Sequence, residues 1–481
     1  LQVPVFARTW GFKSPPGHRW NGPSPQVEGR LLWHQHPVLF ITCMDPHNLA
    51  PAPASPARLT PGSRKALFAA VTGTVIEWYD YALYGAAAGL VIGPLFFQGT
   101  GAGATIAAFA TFAVGFIARP LGGLLVGYLG DRHGRRPAMF VTLVLMGIAT
   151  VGIGLLPTAQ SVGVLAPILL VLLRLMQGMG AGAELAGAMT IVAEFAPPNK
   201  RGILTSVVMS TPPLGISLAT LAFLAVSALG DEALLGWAWR IPFLLSAVLF
   251  VLAIWIRRKL EETPEYLQAQ QEAEARGETK RVPIATLMRN HGRAVFTGFL
   301  AMTGHNAVNY SLAVFAISLM SSDAVGLSRT ESLTAVTLGT LAAVVTTPFG
   351  GWLSDKIGGG RTMALGCAIG IITIFPILNA MTSGSALKGG LAVAAGYAFI
   401  ITFTSGSQGA FYASLFPASE RMSGTAMARE LNGAVVAGFT PLIMTYLLGL
   451  GGGAITYPAL FIIACCAITI AAVAAAPKER F

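Results

Sequence analysis

Long runs of hydrophobic residues, separated by short polar breaks that often contain glycine or proline, fill the chain from residue 64 onward. A bilayer-spanning helix needs about 20 predominantly apolar residues, and twelve runs are long enough. We predict spanning helices at 66–93, 104–130, 137–156, 163–195, 202–228, 237–257, 293–320, 331–353, 362–381, 389–415, 423–448 and 456–476. The hydrophobic pattern therefore predicts an all-α membrane protein.

Small residues recur at a spacing of four within two of these predicted helices. Gly123 and Gly127 lie in the second, and Gly178 and Gly182 lie in the fourth. Because glycines one turn apart let helix backbones approach closely in lipid, we expect these four residues to mark helix–helix contacts.

Two polar motifs occur twice at almost the same separation. The segment 127–136 reads Gly-Tyr-Leu-Gly-Asp-Arg-His-Gly-Arg-Arg, and 351–361 reads Gly-Trp-Leu-Ser-Asp-Lys-Ile-Gly-Gly-Gly-Arg, which places Asp131 and Asp355 224 residues apart. The segments around Phe195 and Phe416 also resemble each other, 221 residues apart. The sequence thus predicts two related six-helix halves, and paired hydrophobic halves are typical of secondary transporters.

Composition excludes several other classes of protein. The chain is 54% hydrophobic and 11% charged, whereas soluble proteins carry about 25% charged residues. The net charge of +10 comes from basic residues scattered between apolar runs rather than gathered in a stripe, so we expect no nucleic-acid partner. We see no cysteine–histidine metal spacing, phosphate loop or nucleophile–base set. We therefore expect no metal, no cofactor and no enzymatic activity.

The polar segments at the start and the middle of the chain set the predicted domain boundaries. Residues 1–62 lack a sustained apolar period, and the first methionine is Met44. We expect 1–62 to be a disordered extension, with the natural start at Met44. The remaining predicted units are a six-helix bundle at 63–260, a cytoplasmic linker at 261–291 and a second six-helix bundle at 292–481.

Basic residues predict the orientation in the membrane. They concentrate in alternate short loops, whereas the opposite loops carry few. Since cytoplasmic loops are enriched in lysine and arginine, we expect both termini in the cytoplasm of a bacterial cell. The basic loop residues include Arg132, Arg135, Arg136, Lys200, Arg201, Lys356, Arg361 and Arg421.

Several short motifs together resemble those of the metabolite:proton symporter family, within the major facilitator superfamily. They are the 127–136 loop, Glu77-Trp78-Tyr79-Asp80-Tyr81, Arg119-Pro120-Leu121-Gly122-Gly123, Arg174-Leu175-Met176-Gln177-Gly178, Trp239-Arg240-Ile241-Pro242-Phe243 and Glu262-Thr263-Pro264. The resemblance covers about residues 64–476 and implies the twelve-helix major facilitator fold. One departure is that Gly182-Ala183 precedes Glu184, where the family usually has two glycines.

The resemblance also implies a gating role for the repeated loop motif. The first copy is expected to lock the two halves together on the cytoplasmic side, with Asp131 engaging the start of the eleventh helix. The second copy retains fewer cations, so we expect it to lock more weakly. The residues assigned to gating are Asp131, Arg132, Arg135, Arg136, Asp355 and Arg361.

Charged side chains inside the apolar runs are the first candidates for a functional site. An ionised group at the bilayer centre costs at least about 2.5–3.5 kcal/mol, so such groups are rare without a function. Glu77 and Asp80 lie three residues apart on one predicted helical face, and Arg119 and Arg174 are equally deep. One alternative is that these groups form structural salt bridges between helices. The candidates for the coupling proton are Glu77, Asp80 and Glu184, and the sequence does not decide between Glu77 and Asp80.

Further polar residues could complete a substrate site between the halves. Arg429 adds a cation from the second half, and a guanidinium suits a carboxylate bidentately. A structural alternative is that Arg429 pairs with Glu430 or another helix. The complete predicted substrate set is Arg119, Arg174, Gln177, Arg429, Asn306, Tyr310, Gln408 and Tyr84.

These observations predict a proton-coupled symporter that imports a small organic anion, a mono- or dicarboxylate, across the bacterial cytoplasmic membrane. The expected partners are the anion, the proton and the lipid bilayer, and we expect a monomer. One alternative is a proton symporter for a zwitterionic osmolyte such as proline or betaine. Another is a proton-driven drug exporter, although several buried arginines disfavour a cationic drug.

Overall fold

The structure is a computed structural model that describes residues 61–97, 102–133, 135–181, 184–258, 284–417 and 420–476. Within these ranges, some residues have a described backbone but no described side chain: 61–70, 102, 124–133, 135–139, 184, 191, 194–195, 198, 256–258 and 284–285. Every regular element in the described ranges is a helix. The predictions for the extension before residue 61 and for most of the linker fall outside the described residues.

The helices form twelve successive rods, some of which contain short breaks or π-helical turns. We name them α1 to α12: 61–96, Ala102–His133, Arg135–Leu155, 165–195, Arg201–Ser227, 231–258, 284–320, Arg329–Ile357, Gly359–Met381, Ala386–Leu415, Arg421–Leu450 and Thr456–Ala474. In α4 the break separates Leu165–Gly180 from Glu184–Phe195. The twelve rods match the twelve predicted spans in order and approximate position.

Length and apolarity identify most of these rods as membrane helices. Eight described helices meet both requirements alone, and α6 makes a ninth if its two parts, bent by 50°, count as one span. The apolar part of α3, Phe140–Leu155, is shorter. In α1 and α7, buried polar and charged side chains interrupt the apolar sequence. The prediction of an all-α membrane protein is confirmed, and the twelve described rods agree with the twelve predicted spans.

The two halves, α1–α6 and α7–α12, meet along a few specific helix pairs. The most extensive contact between them joins α5 to α8, and α5 also packs closely on α1 in its own half. Further contacts join α2 to α11, α4 to α10 and α11, and α1 to α7. The space enclosed by these pairs is where side chains from both halves can reach one another.

Glycines allow α2 and α4 to pack with their backbones in contact. A Cβ on Gly178 would lie 2.8 Å from Ala118 Cβ, and one on Gly122 would lie 2.6 Å from Met179 Cα. The predicted contact at Gly178 is therefore confirmed. The prediction for Gly123 is wrong, because this glycine is exposed and an added Cβ would meet nothing within 4 Å. Its neighbour Gly122 faces α4 instead.

One end of the bundle is closed by a carboxylate that caps a helix of the other half. We call this the basic end; α2, α4, α8 and α10 finish there, and it carries Lys200 and Arg201. Asp355 of α8 accepts hydrogen bonds from the backbone N–H of Gly202 at 2.6 Å and of Ile203 at 2.9 Å, at the start of α5. A carboxylate satisfies the free N–H groups of a helix N-terminus and its positive dipole end, so this contact stabilises closure.

The opposite end of the bundle is closed as well, and here α5 and α8 are joined by hydroxyl groups. Two hydroxyl–hydroxyl hydrogen bonds, both 2.8 Å long, connect Ser217 with Thr340 and Thr220 with Thr337. An ion pair between Asp231 and Arg329 links the starts of α6 and α8 nearby. The structure is therefore a state in which the two halves touch at both ends.

Candidate functional site

Arg119, in the interior of α2, contacts carboxylates from both halves. Its Nη2 lies 3.0 Å from Glu77 Oε1 on α1. Its Nε and Nη2 lie 2.7 Å and 3.3 Å from Oε2 and Oε1 of Glu430 on α11. The second contact has the two-point geometry of a strong guanidinium–carboxylate pair. Arg119 thus joins the halves near the centre of the protein through one buried ion cluster.

Two glycines of α11 explain how Glu430 reaches Arg119. Gly433 and Gly438 both lie against Phe116 of α2, and a Cβ on Gly438 would come within 2.7 Å of Phe116 Cβ. Because residues three apart share a helix face, the approach at Phe116 also brings Arg119 opposite Glu430. A larger residue at 438 would push the two helices apart.

Aromatic rings surround the Arg119 guanidinium. Its Cζ lies 4.6 Å from the centre of the Tyr81 ring, and Phe116 packs edge-on against Tyr81 at 5.1 Å and against Tyr310 at 5.4 Å. The adjoining cavity has a volume of about 10 Å³, which is room for about one water molecule. It is lined by Trp78, Tyr81, Ala82, Phe112, Ile216, Tyr310, Ala313 and Val314. The site is therefore contracted in this doubly closed state.

Arg174 of α4 lies in a separate cluster inside the N-terminal half. Its guanidinium stacks on the Tyr84 ring at 3.8 Å, donates to the Phe112 carbonyl at 3.1 Å and hydrogen-bonds Gln177. All three side chains, Arg174, Gln177 and Tyr84, are fully buried. The structure thus brings these three predicted residues together, and their described partners come from the N-terminal half, including Thr150 of α3 at 2.8 Å from Gln177 Nε2.

Asp80 is held by neutral groups, whereas Glu77 is held by a cation. Thr150 donates a hydrogen bond to Asp80 Oδ2, and Gln177 Nε2 lies 3.4 Å from the same oxygen. Within the described part of the chain, Oδ1 of Asp80 has no hydrogen-bond partner and no lysine or arginine forms an ion pair with it. Gln177 also contacts Arg174, so Asp80 is connected to that arginine through one amide. The two carboxyl groups of α1 therefore belong to different clusters.

Arg429 of α11 faces Gln408 of α10 rather than a carboxylate. Its Nη1 donates to Gln408 Oε1, and no ion pair of Arg429 occurs among the residues whose side chains are described. Gln408 is fully buried, and its Nε2 has no partner in the same set. The alternative that Arg429 pairs with Glu430 does not apply in this state, because Glu430 binds Arg119. Neighbouring residues on a helix point in different directions, which separates the two charges.

Asn306 of α7 is tied into the C-terminal half by a second asparagine. Its Nδ2 donates to Asn432 Oδ1 at 2.6 Å, and Asn432 donates in turn to the Phe299 carbonyl at 2.7 Å. Tyr310 lies one turn further along α7 and contacts the aromatic rings near Arg119. The predicted substrate residues thus lie in clusters around Arg119, Arg174 and Arg429, except for Asn306, which lies in the pair with Asn432.

Only some of the residues predicted to act in gating have described side chains. Asp355 joins the halves as described above, whereas Arg361 is exposed and has no ion pair in the described part of the protein. The second loop copy therefore acts here through its aspartate. The side chains predicted for the first copy and for proton coupling in α4 lie outside the described residues: Asp131, Arg132, Arg135, Arg136 and Glu184.

Sequence reasoning missed four residues that complete these clusters. Glu430 could have been identified as a site residue, since a carboxylate inside an apolar run carries the same signal as Glu77. Thr150, Tyr81 and Asn432 gave no such signal, because hydroxyl, phenol and amide groups are common in membrane helices. Only the packing of the helices shows which of them meet the charged groups.

Two helical halves closed around buried charges are the architecture of a secondary membrane transporter. The model of the Major Facilitator Superfamily matches residues 70–428. The chain belongs to the major facilitator superfamily, and the family resemblance inferred from its motifs is confirmed. It is accordingly a multi-pass membrane transport protein and not an enzyme.

Similar proteins include carriers of different solutes. The shikimate transporter of Escherichia coli (strain K12) is 35% identical over 421 residues, which cover 85% of this chain and 93% of that protein. The ectoine/proline transporter ProP of Corynebacterium glutamicum (strain ATCC 13032) is 33% identical over 415 residues, covering 83% and 81%. A crystal structure of a D-xylose-proton symporter has a TM-score of 0.63 at 20% identity, covering 85% and 97%. The last similarity concerns the fold alone.

Proposed function

We propose that this protein is a proton-coupled symporter that imports a small organic anion, a mono- or dicarboxylate, across the bacterial inner membrane by alternating access. In this proposal the basic end faces the cytoplasm, as the distribution of lysine and arginine indicates. The observation that carries the substrate class is Arg429, an interior cation that forms no ion pair among the described residues.

The surroundings of Arg429 suit a carboxylate. Its guanidinium has one described side-chain partner, Gln408, whose own amide nitrogen is unpartnered within the described structure. Two donors side by side can bind both oxygens of a carboxylate, and charge-assisted hydrogen bonds are about twice as strong as neutral ones. Arg429 adjoins Glu430, which contacts Arg119, and Arg119 lies over the Tyr81 ring that lines the aromatic cavity. A carboxylate on Arg429 would therefore place the body of the substrate towards this cavity.

The surroundings of Asp80 favour it over Glu77 as the carrier of the coupling proton. Glu77 has a cationic partner, because its Oε1 lies 3.0 Å from Arg119 Nη2. Asp80 is fully buried among neutral partners, and burying an ionised carboxylate without a counter-ion is costly. Its contacts with Thr150 and Gln177 accommodate a carboxylic acid. Arg174 acts here as a positioning residue, because it orients Gln177, which contacts Asp80.

Alternating access requires that the contacts at one end break while those at the other persist. The Asp355 cap at the basic end and the hydroxyl pairs of α5 and α8 at the opposite end are separate sets of bonds. Each is small enough to break and re-form during a transport cycle. We assign the first loop copy, including Asp131, to the same gate at the basic end.

A zwitterion such as proline or betaine is the second candidate substrate, and one feature of the site favours it. Tyr81, Tyr310, Phe112 and Trp78 line the cavity, and aromatic faces attract quaternary or secondary ammonium groups. The similarity to the ectoine/proline transporter supports the same possibility. A zwitterion would still present its carboxylate to Arg429.

Uptake by proteoliposomes distinguishes these substrates and tests coupling. We expect a labelled mono- or dicarboxylate to accumulate when an inward proton gradient is imposed, and to equilibrate without accumulation when the gradient is collapsed. The panel includes shikimate, simple dicarboxylates, proline and betaine. Accumulation of betaine or proline without any carboxylate would replace the first candidate with the second. Uptake that ignores the proton gradient would exclude proton coupling.

Replacing Arg429 with glutamine is expected to raise the KM for the carboxylate about tenfold or more. A hydrogen bond to a charged group contributes about 1.5–3 kcal/mol, and each 1.4 kcal/mol corresponds to about tenfold in affinity. The measurement is initial uptake rate against substrate concentration in proteoliposomes. Arg289→Gln is the matched control, because Arg289 is exposed near the start of α7. An unchanged KM in Arg429→Gln would remove this residue from the substrate site.

A further inference from the structure

We propose that the carboxylate of Glu430 binds the Arg119 guanidinium when the carrier is empty, in the position of a substrate carboxylate. The carboxylate of the arriving substrate then displaces Glu430 from Arg119. This inference rests on the proposed import of an organic anion. It assigns Glu430 a role in specificity and in the return of the empty carrier, beyond joining two helices.

The geometry at Arg119 is that of a bound carboxylate ligand. Glu430 approaches from the other half of the protein, and its two oxygens face Nε and Nη2 at 2.7 Å and 3.3 Å. Glu77, the other carboxylate on Arg119, comes from the same half, and its Oε1 lies 3.0 Å from Nη2. Separation of the halves must therefore break the contact with Glu430, while the contact with Glu77 can remain intact.

Charge balance gives the displacement a driving force. Arg119, Glu77 and Glu430 carry one positive and two negative charges when all are ionised, and Arg429 next to Glu430 has no described carboxylate partner. A substrate carboxylate that approaches Arg119 adds a further negative charge close to Glu430. Like charges at such distances in a low-dielectric site repel strongly. The arriving anion thus weakens the bond between Glu430 and Arg119 that joins α11 to α2.

The same exchange explains how the empty carrier can return to its starting state after the substrate has been released. An unoccupied arginine facing an apolar, closing cavity would oppose closure, because burying an unpaired charge is costly. When the substrate has left, Glu430 can neutralise Arg119 and allow the empty carrier to close at both ends. The present doubly closed state shows this pairing with a cavity of about 10 Å³, which is too small for an organic anion. Net uptake requires this return step, whereas exchange of substrate for substrate does not.

The test compares Glu430→Gln with wild type in net uptake and in substrate exchange. We expect the KM for carboxylate in exchange to fall about tenfold, because one charge-assisted competitor for Arg119 is removed. Net uptake under a proton gradient should fall at least about tenfold, since the empty carrier closes poorly. The matched control is Glu232→Gln, at an exposed position at the start of α6. The control should change neither parameter.

Several outcomes would overturn the proposal. An unchanged or raised KM in Glu430→Gln, or an equal loss of exchange and net uptake, would show that Glu430 is only a structural link between the halves. If Glu430→Gln is not recovered from membranes, Glu430→Asp serves instead; its shorter side chain should shift KM in the same direction by a smaller factor. Carboxylate-dependent thermal stabilisation in detergent gives a readout that does not require transport. If wild type neither transports nor is stabilised by any carboxylate, the proposed substrate class fails, independently of Glu430.

Discussion

Replacing Arg119 with glutamine is expected to reduce carboxylate uptake by at least about 100-fold and to lower the thermal stability of the protein. The guanidinium is the common partner of Glu77 and Glu430, which come from different halves. Removing one partner of a buried ion pair costs about 3–5 kcal/mol, because a buried charge is left uncompensated. Here two carboxylates would remain, facing each other. The measurements are uptake in proteoliposomes and the unfolding temperature in detergent.

A double variant separates the electrostatic effect from a general loss of packing. Arg119→Gln combined with Glu430→Gln removes the cation and one of the two carboxylates, so it should recover part of the lost thermal stability without recovering uptake. Residues in direct contact show such non-additive effects. If the double variant is as unstable as the sum of the two single variants, the ion cluster is not the reason for the loss. Arg289→Gln, at an exposed position near the start of α7, is the control for charge removal.

The sequence was sufficient to place the helices because the signal for a membrane span is strong and local. Each predicted run coincides with one of the twelve rods, and even the polar helices α1 and α7 were recognised by their flanking apolar residues. The repeated motifs around Asp131 and Asp355 identified the two halves. Local hydrophobicity, in contrast, contains no information on which helices touch. Hydrophobicity alone therefore does not show that Gly122, rather than the predicted Gly123, packs against α4.

The partners of the buried charges were less predictable for the same reason. Glu77 and Asp80 were predicted to share one face, yet the structure connects one to Arg119 on α2 and the other to Thr150 on α3. A difference of three residues rotates a side chain by about 60°, which is enough to direct it to a different neighbour. The pairing of Glu430 with a residue 311 positions away depends on the close approach of α11 to α2. Neither result follows from any single helix.

The charges are distributed unequally between the two related halves, and this asymmetry suggests a division of roles. The N-terminal half contains Asp80 with its neutral partners, and the C-terminal half contributes Arg429 with its free hydrogen-bonding capacity. Arg119 and Glu430 join the two halves directly. A proton site in one half and an anion site in the other can influence each other only through such a shared contact. Coupling of this kind is reciprocal, since each ligand must change the affinity for the other.

Replacing Asp80 with asparagine is expected to abolish accumulation driven by a proton gradient while leaving exchange of substrate for substrate. Asparagine has the size and hydrogen-bonding atoms needed to keep the contacts with Thr150 and Gln177, but it cannot take up a proton. Accumulation should fall to the level that wild type reaches without a gradient. Exchange measured over a range of pH should become insensitive to pH in the variant, because the group that binds the coupling proton is absent.

Glu77→Gln provides the decisive comparison, because both residues lie on α1 and both changes remove one carboxylate. Glu77 is held by Arg119, so its loss should slow transport but preserve the response to an imposed gradient. Asp323→Asn, at an exposed position between α7 and α8, is the control for a change of aspartate alone. If Glu77→Gln loses the gradient response and Asp80→Asn keeps it, the proton is carried by the ion-paired carboxylate. Loss of the response in Asp80→Asn alone is the result that the neutral surroundings of this carboxyl group predict.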